Sequence, residues 1–154
     1  KAKADLGNNA EALIDCNIAI KINSHLAIAY INRATLKADL GNYIESVIDY
    51  DKAIEYFKKT IEVDPTYAEA YSNLGLIYCL QAQDFSEKAT TDVNDPKYKE
   101  DQITLKAFYE NAKPCYEKAR ELKPDQKDLW LNGLYRVYYN LDMGPEFEEI
   151  EKLM

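Results

Sequence analysis

The residues able to do acid–base or nucleophilic work are few and scattered. His25 is the only histidine, and it directly follows Ser24. A nucleophile needs a base that a third group orients, and adjacent side chains in one helix turn cannot adopt that arrangement. Ser24-His25 therefore reads as a turn or cap pair. Cys16, Cys79 and Cys115 are odd in number, far apart and never in a Cys-x-x-Cys pair, so they indicate neither a disulfide framework nor a zinc knuckle. They read as small buried apolar residues and lean toward a reducing compartment. Asp92, Asn94 and Asp95 have the carboxylate and amide character of a calcium loop. No glycine follows at the required place, however, and Ile103 stands where the closing glutamate belongs, leaving a solvated acidic loop. Glu146, Glu148, Glu149 and Glu151 form a solvated face, and no glycine pattern suited to phosphate occurs. The sequence thus offers no catalytic residue, no metal site and no cofactor, and it reads as that of a protein that is not an enzyme.

The elements around these residues are those of a helical protein. Hydrophobic residues make up 47% of the 154 and charged residues 30%, with only five glycines and five prolines, a composition poor in turn formers. The net charge of −8 and the pI near 4.7 oppose a nucleic-acid partner and an anionic membrane surface, and favour a neutral or basic protein partner. No apolar run approaches the ~20 residues of a membrane span. The chain opens on Lys1, so nothing about a leader peptide follows and the compartment stays open.

Self-similarity supplies the organisation. Lys3-Ala4-Asp5-Leu6-Gly7-Asn8 recurs 34 residues later as Lys37-Ala38-Asp39-Leu40-Gly41-Asn42, and Glu11, Ile14, Asp15, Ala19 and Ile20 recur as Glu45, Ile48, Asp49, Ala53 and Ile54. Ala27, Ala29, Tyr30 and Asn32 return as Ala68, Ala70, Tyr71 and Asn73 at an offset of 41, which adds two helical turns. Ala53, Phe57, Val63 and Pro65 align with Ala112, Tyr116, Leu122 and Pro124 at an offset of 59, as Tyr71 and Asn73 do with Trp130 and Asn132. The extra residues of this last period fall at about 83–106, between two paired helices.

This pattern resembles the tetratricopeptide repeat (TPR) family. The residues that carry it are Tyr30, Ala34, Gly41, Tyr43, Tyr50 and Ala53, then Tyr71, Leu74, Gly75, Tyr78, Ala112, Tyr116, Ala119 and Pro124. Ser46 and Thr60 depart from it where alanines are expected, and Asp142 stands near the expected helix-breaking glycine. The resemblance implies an all-α fold, an α-α superhelix (TPR solenoid) of three to four helical hairpins with the insertion inside the third. One array covers 1–154: a partial repeat at 1–23, a second at 24–64, a third at 65–123 and a capping hairpin at 124–154. It also implies a concave groove that binds a peptide segment or partner protein. Asn32, Asn73 and Asn132 then form a ladder able to hydrogen-bond an extended backbone, flanked by Ile31, Thr35, Leu76, Tyr135 and Tyr139. Glu69 and Asn73 occupy positions where relatives that clamp acidic chaperone tails carry basic residues, which points to a neutral or basic segment.

The expected helices are 9–23, 26–40, 43–63, 66–85, 96–122, 125–141 and 145–154. Gly7-Asn8 and Gly41-Asn42 supply left-handed stops, and Asp64-Pro65 and Asp95-Pro96 supply N-terminal caps. Pro114 should kink its helix near Glu110. Tyr98, Ile103, Leu105 and Phe108 make the insertion a helical arm that packs partly on the array, a partner arm being the rival. Leu13, Ile14, Ile18 and Ile20 need cover, so the chain begins as if cut from a longer array. Self-association through that face, or service as a regulatory portion of a longer enzyme, are the alternatives to a binding scaffold.

Overall fold

The computed structural model describes residues 2–154, with side chains from Asn8 onward; the side chains of the Lys3–Gly7 repeat lie outside it. Among the described residues every regular element is helical. They are α1 (Ala2–Ile22), α2 (Ala27–Asp39), α3 (Tyr43–Val63), α4 (Ala68–Ser86), α5 (Tyr98–Leu122), a 3-10 turn (Lys127–Leu129), α6 (Leu131–Asn140) and α7 (Gly144–Glu151). The expected all-α class of paired helical hairpins holds. The chain divides into two compact units, 1–59 and 60–154.

The turns that open α2, α4 and α6 are one structure used three times. Leu26 N donates to Asn23 O and Ala29 N to Leu26 O; the same pair of bonds recurs at Tyr67 and Ala70, and again at Gln126 and Leu129. These are the offsets of 41 and 59 read from the sequence. The large aromatic that follows each turn is explained by its polar handle. Tyr30 OH donates to Ser24 O at 3.1 Å, Tyr71 OH to Pro65 O at 3.3 Å, and Trp130 Nε1 to Lys123 O at 3.1 Å. Each ring fills space beneath its helix while its donor satisfies a turn carbonyl that no helix bonds.

Asp64 and Asp95 do not cap helices. Their carboxylates accept the N–H two residues on, from Thr66 and Lys97, and so tighten the turn before the helix begins. Pro65 and Pro96 accordingly sit in the turns, and α4 and α5 start later than expected. Gly41 is the expected left-handed stop, with φ +79 and with Gly41 N bonded to Ala38 O and Asn42 N to Lys37 O. Gly7-Asn8 is not such a stop, because α1 runs unbroken from Ala2 to Ile22. Asp142 performs the stop after α6 at φ 56, with Met143 N bonded to Tyr138 O.

In the first unit α2 turns Ala27, Ile31, Ala34 and Ala38 inward, and α3 buries Tyr50, Ala53 and Phe57, with Tyr50 OH 3.4 Å from the Thr35 hydroxyl of α2. In the second unit α4 and α5 pair, with Phe85 against Phe108 at 6.1 Å, so the insertion forms part of a long helical hairpin and α5 continues through Pro114. Ile103 on that arm stays exposed. The core gathers Cys79, Ala112, Tyr116, Ala119, Trp130, Leu134, Val137, Tyr138 and Ile150. Tyr116 fixes how closely its helices approach: a Cβ on Gly75 of α4 would lie 2.8 Å from its ring, and one on Gly133 of α6 nearer still.

Candidate functional site

Two cavities, one in each unit, are each lined in part by the first helix of a hairpin. In the first unit a cavity of about 440 Å³ is bounded by Ala12, Asp15 and Cys16 of α1 and by Asn32, Thr35 and Leu36 of α2. Asn32 is exposed there, and burial pushes the Cys16 thiol up. Thr35 is held in place by its own helix, its hydroxyl donating to Ile31 O at 3.1 Å with Tyr50 OH 3.4 Å away. In the second unit a cavity of about 100 Å³ is bounded by Leu76 and Cys79 of α4, Tyr116 of α5, and Asn132, Gly133 and Arg136 of α6.

The ladder asparagines are not equivalent. Asn32 and Asn132 each line a cavity, whereas Asn73 is half-buried and its Nδ2 donates to Glu69 O at 2.8 Å. One N–H and the carbonyl oxygen of Asn73 remain for another group. Ile31 does not belong to a surface at all: it is 5% exposed, because it shares the inward stripe of α2 with Ala27, Ala34 and Ala38. Leu76 does stand at the rim of the second cavity. Tyr135 and Tyr139 lie instead toward α7, at 4.8 and 5.7 Å from Phe147, with Tyr139 69% exposed.

A tetratricopeptide repeat family model matches residues 27–55, and a second TPR repeat model matches residues 49–81. Residues 27–81 of the chain carry tetratricopeptide repeats. No curated protein matches it significantly. The two matches cover α2, α3 and most of α4, the stretch in which the aromatic anchors Tyr30 and Tyr71 and the glycine stop at Gly41 follow the family pattern closely.

Sequence reasoning passed over Asp15, Cys79, Tyr116 and Arg136 as cavity residues. Arg136 was within reach, since it lies four residues after Asn132 and so on the same face of α6. Cys79 and Tyr116 were not, because they come to the wall only through close packing at Gly75 and Gly133. Burial pushes the Cys79 thiol up to about 11, with the Tyr116 hydroxyl and the charge of Arg136 acting the other way. Tyr116 is pushed up strongly, again chiefly by burial. Among the described residues no group of three or more His, Cys, Asp and Glu side chains converges as a metal would require, and no helix is long and apolar enough to cross a membrane.

Proposed function

We propose that this protein binds a peptide segment of a partner protein along the faces that carry Asn32 in the first unit and Asn73 and Asn132 in the second, and that it does so as a scaffold without catalysis. TPR repeats are in general protein-interaction modules, which is the coarse function of the family. The observation that carries the finer reading is the pair of cavities, each lined by an asparagine at the same repeat position. An amide there offers both a donor and an acceptor to an extended backbone without selecting its side chains. Thr35 and Leu76 supply the neighbouring contacts.

The test is to isolate a partner by affinity capture and then to change Asn73 and Asn132 together to Ala. Losing two hydrogen bonds of about 1 kcal/mol each predicts roughly tenfold or greater weakening of capture, with the melting curve unmoved. Full capture by the double variant sinks the assignment.

A self-association reading has its own observation. Ile14, Ile18 and Ile22 recur every four residues along α1 and are 58, 50 and 82% exposed, an apolar stripe of the kind that interfaces use. Sedimentation of the intact chain beside an Ile14→Glu, Ile18→Glu variant decides it: a dimer that becomes a monomer supports this reading, and a monomer in both ends it.

A further inference from the structure

The last helix, α7, is short and acidic: Gly144–Glu151 holds Glu146, Glu148, Glu149 and Glu151 and no Lys or Arg. Ile150 is fully buried and fastens α7 to the core, whereas Phe147 is only half-buried. Its ring lies against two tyrosines of α6, with centroids 4.8 Å from Tyr135 and 5.7 Å from Tyr139 and planes inclined at 44 and 52°. Rings tilted in this way do not cover one another's faces, and Tyr139 stays 69% exposed.

Elsewhere the chain sets cations of its own over aromatic rings: Arg33 over Tyr30 at 5.4 Å, Lys59 over Tyr56 at 5.7 Å and Arg120 over Trp130 at 5.1 Å. Among the described residues no cation stands over Tyr135, Tyr139 or Phe147. The charges beside the three rings are mostly acidic. Glu151 follows Phe147 by four residues and so shares its side of α7, and Glu148 neighbours Glu151 one turn back. Both are exposed, and among the described residues neither forms an ion pair. Asp142 stands in the turn between the two helices. Against these are Arg136, which lines the small cavity with Leu76 and Cys79, and Lys152 at the end of α7.

An aromatic face bordered by carboxylates attracts a cation both through the ring quadrupole and through charge. A guanidinium or ammonium can lie on the Tyr139 ring while its N–H groups reach a carboxylate. We infer that the aromatic face of α6 and α7 receives a lysine or arginine side chain of a partner protein, with Tyr139 and Phe147 as its platform and Glu148 and Glu151 as its counter-charges. The −8 net charge favours such a basic partner. The inference needs neither cavity and does not rest on the asparagine faces.

Three peptides test it by nuclear magnetic resonance titration of the intact chain at constant ionic strength: acetyl-Gly-Gly-Arg-Gly-Gly-amide, the same peptide with Lys, and the same peptide with citrulline, which keeps the shape of arginine without its charge. Saturable shifts of the Tyr139 and Phe147 ring signals are expected with at least one of the two cations, in the millimolar range that a single side chain can give, and not with citrulline. The tighter cation names the side chain. Y139F keeps the ring and should bind as the parent does. Y139L keeps apolar bulk without a π face and should weaken binding by about two- to fivefold, with an unmoved melting curve because the position is exposed. E148Q with E151Q should weaken it and remove most of its dependence on salt.

Equal binding of the arginine and citrulline peptides makes the face a plain apolar contact and overturns the inference. So does unchanged binding by Y139L, or no ring shift with either cation up to about 50 mM. Shifts confined to the Asn73 and Asn132 side-chain amides would put the cation on the asparagine faces, and the ring site alone would fall. Ring shifts that meet every expectation, beside full partner capture by Asn73→Ala, Asn132→Ala, would sink the asparagine reading and leave this one standing.

Discussion

Arg33 on α2 holds the carboxylate of Asp49 on α3 through two donors, Nε at 2.8 Å and Nη2 at 2.5 Å, and Lys37 brings its ammonium within 3.0 Å of the same carboxylate. Asp49 is 2% exposed, and Arg33 also donates to Asn17 of α1 at 2.8 Å, so one arginine ties together all three helices of the first unit. The hydrogen bonds to Asp49 raise the pKa of Arg33 further. Removing one partner leaves a buried charge, which in general costs about 3–5 kcal/mol, whereas replacing both by apolar residues costs far less. Arg33→Ala should therefore lower unfolding stability by about 2–3 kcal/mol, softened from that range because Lys37 remains. Arg33→Leu with Asp49→Leu should recover most of the loss. Urea denaturation of the three proteins checks this, and a double variant no better than the single contradicts it.

Close approach at Tyr116 gives the second prediction. Glycine to alanine inside a helix ordinarily stabilises by about 1 kcal/mol. At Gly133 and Gly75 the added methyl meets the buried ring of Tyr116, and overpacking of this kind costs about 1–3 kcal/mol or more. Both changes should destabilise, Gly133→Ala more than Gly75→Ala. Gly144, whose added Cβ would touch nothing within 4 Å, is the control and should show no loss. Thermal melts of the three variants give the comparison.

Asp142 supplies the third. It occupies the left-handed position that glycine fills at Gly41, and for a residue with a Cβ that conformation costs about 1–2 kcal/mol. Asp142→Gly should raise stability by about 0.5–1 kcal/mol once glycine's greater freedom in the unfolded chain is deducted. Gly41→Ala should do the reverse. Equal melting temperatures for Asp142→Gly and the parent protein contradict the assignment.

Much of the fold was legible because the repeat is written in residues whose roles are local. Tyr30, Tyr71 and Trp130 each bond a turn a few positions back, so their spacing alone locates three helix starts and the residues added between them. Gly7-Asn8 and Gly41-Asn42 are identical dipeptides with different outcomes, since glycine is tolerated inside a helix at a cost of about 1 kcal/mol that tertiary packing readily overrides. Ile31 was misplaced for a related reason: the side of a helix that faces a neighbour depends on where the neighbour lies, and an isoleucine beside a groove asparagine is as well suited to the core. Arg33 and Asp49 stand sixteen residues apart on two helices, and nothing local marks them as partners. The candidate site was legible only at Asn32, Asn132, Thr35 and Leu76, because much of the remaining wall comes from α1, from the ring of Tyr116 and from Cys79, whose positions depend on how the helices pack.

Acid titration gives the last prediction. Glu55 accepts hydrogen bonds from Lys59 at 2.7 Å and Lys52 at 3.0 Å on the outer face of α3, and these lower its pKa from 4.5 to about 2. A carboxylate with a depressed folded pKa stabilises the fold above its unfolded value and loses that contribution as the pH falls through the folded one. The effect should be complete above pH 4.5 and fade between there and about 2. All three side chains are exposed, so the contribution is small and salt should screen it. Comparing Glu55→Gln with the parent protein by urea denaturation at pH 6 and at pH 3, in low and high salt, isolates it. The parent's advantage should shrink at pH 3 and in high salt. An advantage that is the same in all four conditions would mean that Glu55 contributes through packing of its methylenes and not through its charge.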